Sequence, residues 1–260
     1  MQPSLRTQRG LAVSLQQQFA DDLTAAHPDA DVLWVASNDI AAAFRLSPDA
    51  MLGAPANTNA KPARLEPVLK RLLDLAIALP LLVLCLPLFA VLAAIVRLDA
   101  GGPVFFRQTR LGQGGKAFDI FKFRTMTVME NGDRIVQAKQ NDVRVTRSGK
   151  WLRATSLDEL PQLLNVIAGD MSLVGPRPHA RAHDLHYAGL IANYTLRQDV
   201  KPGITGWAQV NGYRGETPTV GTMRSRVDLD IFYARNASLA LDLLILARTP
   251  LAVLSARNAH

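Results

Sequence analysis

Residues 155–178 read TSLDELPQLLNVIAGDMSLVGPRP and hold the most reactive pattern in the chain. Asp158 and Glu159 stand side by side at an expected helix start, Asp170 follows, and Arg177 lies between two prolines. An aspartate is ionised at neutral pH, its ordinary pKa being about 3.9, so it needs no base to act as a nucleophile. Its difficulty is attacking another anion. Phosphoryl electrophiles become reachable when a divalent cation and arginines offset that repulsion. Asp158, Glu159 and Asp170 are candidate ligands for Mg²⁺, which keeps several waters and takes few carboxylates. Lys122, Arg124, Arg144, Arg147, Arg153 and Arg177 supply positive charge nearby in sequence. The prolines around Arg177 stiffen its turn and suit it to bidentate phosphate contact. A structural alternative stands beside each of these roles. Ser156 followed three residues later by Glu159 matches a capping box, Asp158 would favour the positive end of the helix dipole, and Arg177 would be a solvated turn residue.

Other patterns carry less chemistry. His179, His183 and His186 have H-x₃-H-x₂-H spacing and could meet on a helical face as a transition-metal site, although no HExxH motif accompanies them. The glycines of LGQGGK invite comparison with a phosphate-binding loop, but Arg110 and Ala117 occupy the positions that need Gly and Ser or Thr. Trp207 and Tyr213 could stack on a base, sit at a membrane interface or pack in the core.

These groups need elements to hold them. The hydrophobic content is 48 % and the charged content 20 %, a balance that predicts a folded chain with a buried core. The net charge of +7 calls for an anionic partner: nucleic acid, an acidic membrane surface or a phosphorylated molecule. The one cysteine, Cys85, precludes an intramolecular disulfide and a Cys-based metal site. The first residues lack an apolar core suited to a secretory signal, so the bulk of the chain is expected on the cytoplasmic side.

Residues 1–60 read as an N-terminal extension of unknown role, with a short strand in DVLWVA, a helix in NDIAAAFRL and a Pro/Asn/Ala linker. Residues 61–100 follow as a membrane-inserted segment. The uncharged run from Leu75 to Val96 has 22 residues, about 33 Å as a straight helix and enough to cross the hydrocarbon layer. Pro80 and Pro87 should bend it. Lys70 and Arg71 flank one end and Arg97 the other, so charge gives no direction, and a helix that breaks at Pro87 and re-enters fits that symmetry. A straight span and a buried core pair are the alternatives. Residues 101–260 are read as the catalytic domain: a β-hairpin from VFFRQ and AFDIFKF around LGQGG, an amphipathic helix over 151–168, a turn at SLVGPRP, a helix in HARAHDLHYAGLIANYTLRQ, a Pro/Gly-punctuated loop, and a final apolar helix carrying Pro250 that lies on the membrane or in the core. The expected class is α+β and helix-rich.

With these residues in view, the chain resembles the bacterial sugar transferases, monotopic phosphoglycosyl transferases that begin glycan assembly on undecaprenyl phosphate. The resemblance is carried in order by KRLLDLAIALPLLVLCLPL, GGPVFFRQTRLG, FKFRTM, SLDELPQLLNVIAGDMSLVGPRP, VKPGITGWAQVNG and VDLDIFYARNASLALDLLIL. It implies a catalytic Asp158–Glu159 dyad that also binds the required Mg²⁺, substrate contacts from Lys122, Arg124, Arg153 and Arg177, and a re-entrant helix on the cytoplasmic face of the inner membrane. It also implies attack by Asp158 on a UDP-sugar, release of UMP, and passage of the phosphosugar from the carboxylate to undecaprenyl phosphate. Glu159 would hold Mg²⁺ or orient Asp158. The expected partners are a UDP-sugar, undecaprenyl phosphate and membrane lipids, with no nucleic acid; a homodimer is left open. Two features depart from the family pattern. Leu86 stands where a serine often precedes the membrane proline, and only about 60 residues precede the membrane segment, which suggests a compact form or one with a shortened remnant of the N-terminal part. The GYRGET stretch resembles glucose- or galactose-transferring members. A competing reading is a catalytically inactive basic membrane scaffold or regulator of polysaccharide export.

Overall fold

The structure is a computed structural model that describes residues 66–127 and 142–254, all within one compact unit, Asn59–His260. The strand and helix expected in residues 1–60 lie outside the described residues. What is described is helix-rich, with one long apolar helix and a small two-stranded hairpin.

Helix α1 runs Glu66–Ala100 and contains both Pro80 and Pro87. Where the sequence leads one to expect a break at Pro87, the helix continues through it. Its apolar stretch is long enough to cross a membrane, and Leu84 is 78 % exposed and Val83 65 % exposed, which excludes the buried core pair. Both ends dock on the same body. At the first, Lys70 forms an ion pair with Asp242 at 2.6 Å, Arg71 donates to the carbonyls of Val166 and Ile167, and Asp74 accepts from Ser172 Oγ and the Leu173 amide. At the second, Leu92 and Val96 pack with Phe123 and Leu152, and Phe89 lies 5.3 Å from the Phe123 ring. Gly101 (φ 59) and Gly102 (φ 73) then end the helix in left-handed geometry that a side chain would resist.

Strands β1 (Phe105–Leu111) and β2 (Ala117–Phe123) form the expected antiparallel hairpin, with Phe106 opposite Lys122 and Arg110 opposite Phe118. Alternation therefore puts Gln108, Arg110 and Lys122 on one face. The other edge of β2 is stitched by Asn165, whose amide donates to the Asp119 carbonyl and accepts from the Phe121 amide.

The helix expected over 151–168 is two helices. Helix α2 spans Arg147–Thr155 and α3 spans Gln162–Ala168, separated by a 3₁₀ turn at Leu157–Glu159. Ser156 adopts left-handed geometry (φ 57), and Pro161 lacks the amide a continuous helix would need. The start of α2 is capped by Thr146 Oγ1, which accepts from Gly149, and by Asp99, which accepts from the amide and hydroxyl of Ser148.

The expected SLVGPRP turn begins as a strand, β3 (Ser172–Val174), paired parallel with β4 (Gly203–Thr205). Gly175 crosses Gly203 and Gly206 so closely that a Cβ on any of the three would meet backbone 2.1–2.2 Å away, so the VGPRP and KPGITG segments are fixed against each other. Helix α4 covers only Arg181–Ala188, and the rest of its expected length becomes a 3₁₀ turn at Tyr194–Gln198. The short α5 (Trp207–Val210), α6 (Val220–Asn236) and α7 (Leu239–Leu254) complete the fold. Ile191, Tyr194, Met223, Val227 and Ile231 form a core between α6 and the 3₁₀ turn. One face of α7 is buried through Leu241 and Ile245, while Leu251 is exposed.

Candidate active site

Asp158 and Glu159 sit in the 3₁₀ turn between α2 and α3, and both are buried. The capping-box alternative fails here: Ser156 ends α2 rather than starting a helix, and its side chain makes no cap. The two carboxylates are then treated very differently. Glu159 Oε1 accepts from Lys122 Nζ at 2.7 Å and Arg177 Nη2 at 2.5 Å, while its Oε2 accepts from Arg177 Nη1 at 3.0 Å. Asp158, among the described residues, has no hydrogen-bond partner.

Electrostatics follows that geometry. Burial pushes the Asp158 carboxyl up to about 6; Lys122 pulls against this, the neighbouring Glu159 adds to it, and Arg153 and Arg177 draw it back. Burial would also raise Glu159, but Arg177 and Lys122 outweigh it and hold that carboxyl well below its ordinary value. Burial depresses Lys122 despite the attraction of Glu159. The result is one committed carboxylate and one unpaired carboxylate in a cationic pocket.

Arg177 is positioned from behind. Its carbonyl accepts from Arg197 Nη2 at 2.5 Å, and Arg197 donates to Asp230 through Nε at 3.0 Å and Nη2 at 2.7 Å. The bidentate partner of Arg177 here is Glu159, although phosphate was the expected one. Arg153, in the last turn of α2, lies near enough to influence Asp158 and has its Nη1 3.8 Å from Met126 Sδ.

The other expected cations separate from the dyad. Arg124 is buried beneath Gly102, and Arg144 pairs with Asp142 at 2.7 Å. The third expected carboxylate, Asp170, also lies apart, beyond the far end of α3, where it acts on Lys201. The histidines do not gather. His179 Nδ1 lies 2.6 Å from the Tyr194 hydroxyl, which donates to Asp184, whereas His183 and His186 flank the Tyr187 ring. Trp207 is core, buried against Phe232 with Arg248 over its ring.

Sequence reasoning missed two arginines. Arg110 shares the Lys122 face of the hairpin, donates to the Pro178 carbonyl at 3.1 Å and to Gln108, and lies in electrostatic reach of Glu159 and Arg177. Strand alternation could have found it. Arg214, in the GYRGET stretch, is held below its ordinary pKa by burial, while Glu159 and Asp158 act on it in the opposite sense. The neighbouring Gly215 carbonyl accepts from Arg226 of α6. No periodicity marked it, because it lies in a loop.

Among the described residues, no three His, Cys, Asp or Glu side chains gather as a metal cluster. The unpaired Asp158 carboxylate, with Glu159 beside it, nevertheless suits a magnesium ion whose remaining ligands are water and substrate phosphate.

The family model of the bacterial sugar transferases matches residues 65–256. A Klebsiella pneumoniae protein named UDP-glucose:undecaprenyl-phosphate glucose-1-phosphate transferase is 53 % identical over 182 residues, 70 % of this chain and 39 % of its own length. Proteins of the same name from Xanthomonas campestris and Caulobacter vibrioides are each 51 % identical, covering 74 % of this chain and 40 % and 72 % of their own lengths. The chain thus spans about two fifths of the Klebsiella and Xanthomonas relatives. The matched region contains α1, the hairpin and the dyad with its cations, and the chain belongs to the bacterial sugar transferase family.

Proposed function

We propose that this protein transfers a hexose-1-phosphate from a UDP-sugar to undecaprenyl phosphate, releasing UMP, as a first step of polysaccharide assembly. The carrying observation is the asymmetry of the dyad. Glu159 has both oxygens committed to Lys122 and Arg177, while Asp158 is unpaired and buried among cations. Asp158 is therefore the nucleophile. Its carboxylate oxygen attacks the β-phosphorus, the bridging P–O bond breaks, and UMP leaves with the electron pair. An oxygen of undecaprenyl phosphate then attacks the phosphorus of the aspartyl-phosphosugar and displaces the carboxylate, giving the diphosphate-linked lipid. No general base is needed, because both attacking groups are anions. Glu159 keeps Lys122 and Arg177 fixed at the edge of the pocket, where their charge also favours ionised Asp158.

Mg²⁺, held through Asp158, the carboxylate that Lys122 and Arg177 leave unpaired, would neutralise charge on the donor diphosphate. Glucose is the first sugar to try, because it is the sugar in the names of the relatives. We place the body at the cytoplasmic face of the inner membrane, with α1, helical throughout but bent at its prolines, dipping into the bilayer and returning. The docking of both α1 ends on one body and the exposure of its middle support that reading.

The test is UMP release by the purified protein with Mg²⁺, undecaprenyl phosphate and a panel of UDP-sugars, with Asp158→Asn alongside. Lipid-dependent UMP from one sugar, absent in the variant, is the expected result. No UMP from any sugar, with folded protein, would return the chain to the scaffold reading.

A further inference from the structure

A cleft of about 310 Å³ opens between α1, α3 and α7. Ile77 and Leu81 of α1 form one wall, Leu246 and Val253 of α7 another, and Glu159 and Arg214 lie at its polar end. Glu159 is already paired with Lys122 and Arg177. Arg214 is not: its Nη1 is buried and has no hydrogen-bond partner. A buried guanidinium N–H without an acceptor is costly and suits an anionic ligand.

We infer that this cleft receives the phosphate-bearing end of the polyprenyl acceptor, with Arg214 as its phosphate receptor. The inference rests on the transferase reading and assigns the second substrate a place. Several observations converge on it. The walls are apolar, and one of them comes from the helix whose exposed middle makes it the membrane element, so a lipid chain could pass from bilayer to cleft without crossing water. The volume suits the isoprene units nearest the phosphate and leaves the remainder of the tail in the membrane. Arg214 acts electrostatically on both Asp158 and Glu159, so a phosphate bound to it would lie near the carboxylate that carries the phosphosugar. A nucleotide-sugar is a poor occupant of such a cleft, because its ribose and hexose hydroxyls would face hydrocarbon side chains. Arg226, by holding the Gly215 carbonyl, keeps the Arg214 loop in place.

The test measures binding by native mass spectrometry of the full chain in lipid nanodiscs, separately with undecaprenyl phosphate, undecaprenol and UDP-glucose. Arg214→Ala should weaken undecaprenyl phosphate binding tenfold or more and leave undecaprenol and UDP-glucose unchanged. Leu246→Trp, which fills the cleft, should weaken both lipids and spare UDP-glucose; it decides the matter if Arg214→Ala does not fold. The inference is overturned if Arg214→Ala binds undecaprenyl phosphate normally or loses UDP-glucose instead, if the unaltered chain binds undecaprenol as tightly as its phosphate, or if Leu246→Trp binds both lipids normally. Failure of the transferase reading is separable. Arg214-dependent lipid binding without any UMP release would keep the cleft and sink the enzyme, whereas UMP release with Arg214-independent lipid binding would do the reverse.

Discussion

Two buried charge clusters lie back to back in this protein, and they are built to different ends. In the rear one, Arg197 donates twice to Asp230 and once to the Arg177 carbonyl, and Tyr194 donates to Asp184. In the front one, Glu159 is equally well paired, but Asp158 is buried without a hydrogen bond. The rear cluster spends its charges on holding a loop. The front keeps one charge unspent, which an interior tolerates only at a cost in stability and which chemistry can use.

The sharpest break in this comparison is Asp158→Asn. It should lower UMP release by about 10³-fold or more, as expected for loss of a covalent nucleophile. Since Asp158 makes no hydrogen bond, the melting temperature should stay level or rise; a large fall would assign Asp158 a structural role. In the rear cluster, Arg197→Ala should do the opposite to stability, costing about 3–5 kcal/mol by leaving Asp230 buried and unpaired. Denaturant unfolding would measure it, and a loss below about 1 kcal/mol would deny that cluster its scaffolding role.

The pH dependence of the front cluster comes next. Transfer should fall about tenfold per pH unit as pH drops below about 6, the value to which burial raises Asp158. Stability should run the other way. With the folded pKa above the unfolded one, the contribution of Asp158 is complete below about pH 3.8 and is lost as pH rises through about 6, a swing of up to ~3 kcal/mol absent from Asp158→Asn. Lys122→Met, by removing the group that most lowers Asp158, should move the activity limb to higher pH; an unmoved limb would show that Asp158 is not the titrating group. The smallest effect is expected far from both clusters. Asp99→Ala, which removes a cap at the start of α2, should cost about 1 kcal/mol in thermal unfolding and leave UMP release unchanged.

Much of this was legible in the sequence for local reasons. The period-2 pattern around LGQGG gave the hairpin, and the uncharged run gave α1, because each needs only neighbours in sequence. The 151–168 segment was misjudged because its apolar spacing suits one helix, while Ser156 and Pro161 divide it. That division delivers the dyad, since a continuous helix would carry Asp158 and Glu159 as ordinary helical residues. The cations were harder. Proximity in sequence put Arg124 and Arg144 with Lys122, yet of the expected cations it is Lys122, Arg153 and Arg177 that act on Asp158, joined by Arg214 from a distant loop.

Residue types and order by themselves determined the ingredients from which a phosphate chemistry is proposed: adjacent carboxylates, a proline-held arginine, a basic chain and an apolar run, each a property of side chains and their local periodicity. Which carboxylate is pinned and which is unpaired was decided only by tertiary structure. That choice depends on Lys122 arriving from a strand, Arg177 from a loop locked by glycine crossings, and Arg214 from a loop held by α6, all contacts between residues far apart in the chain.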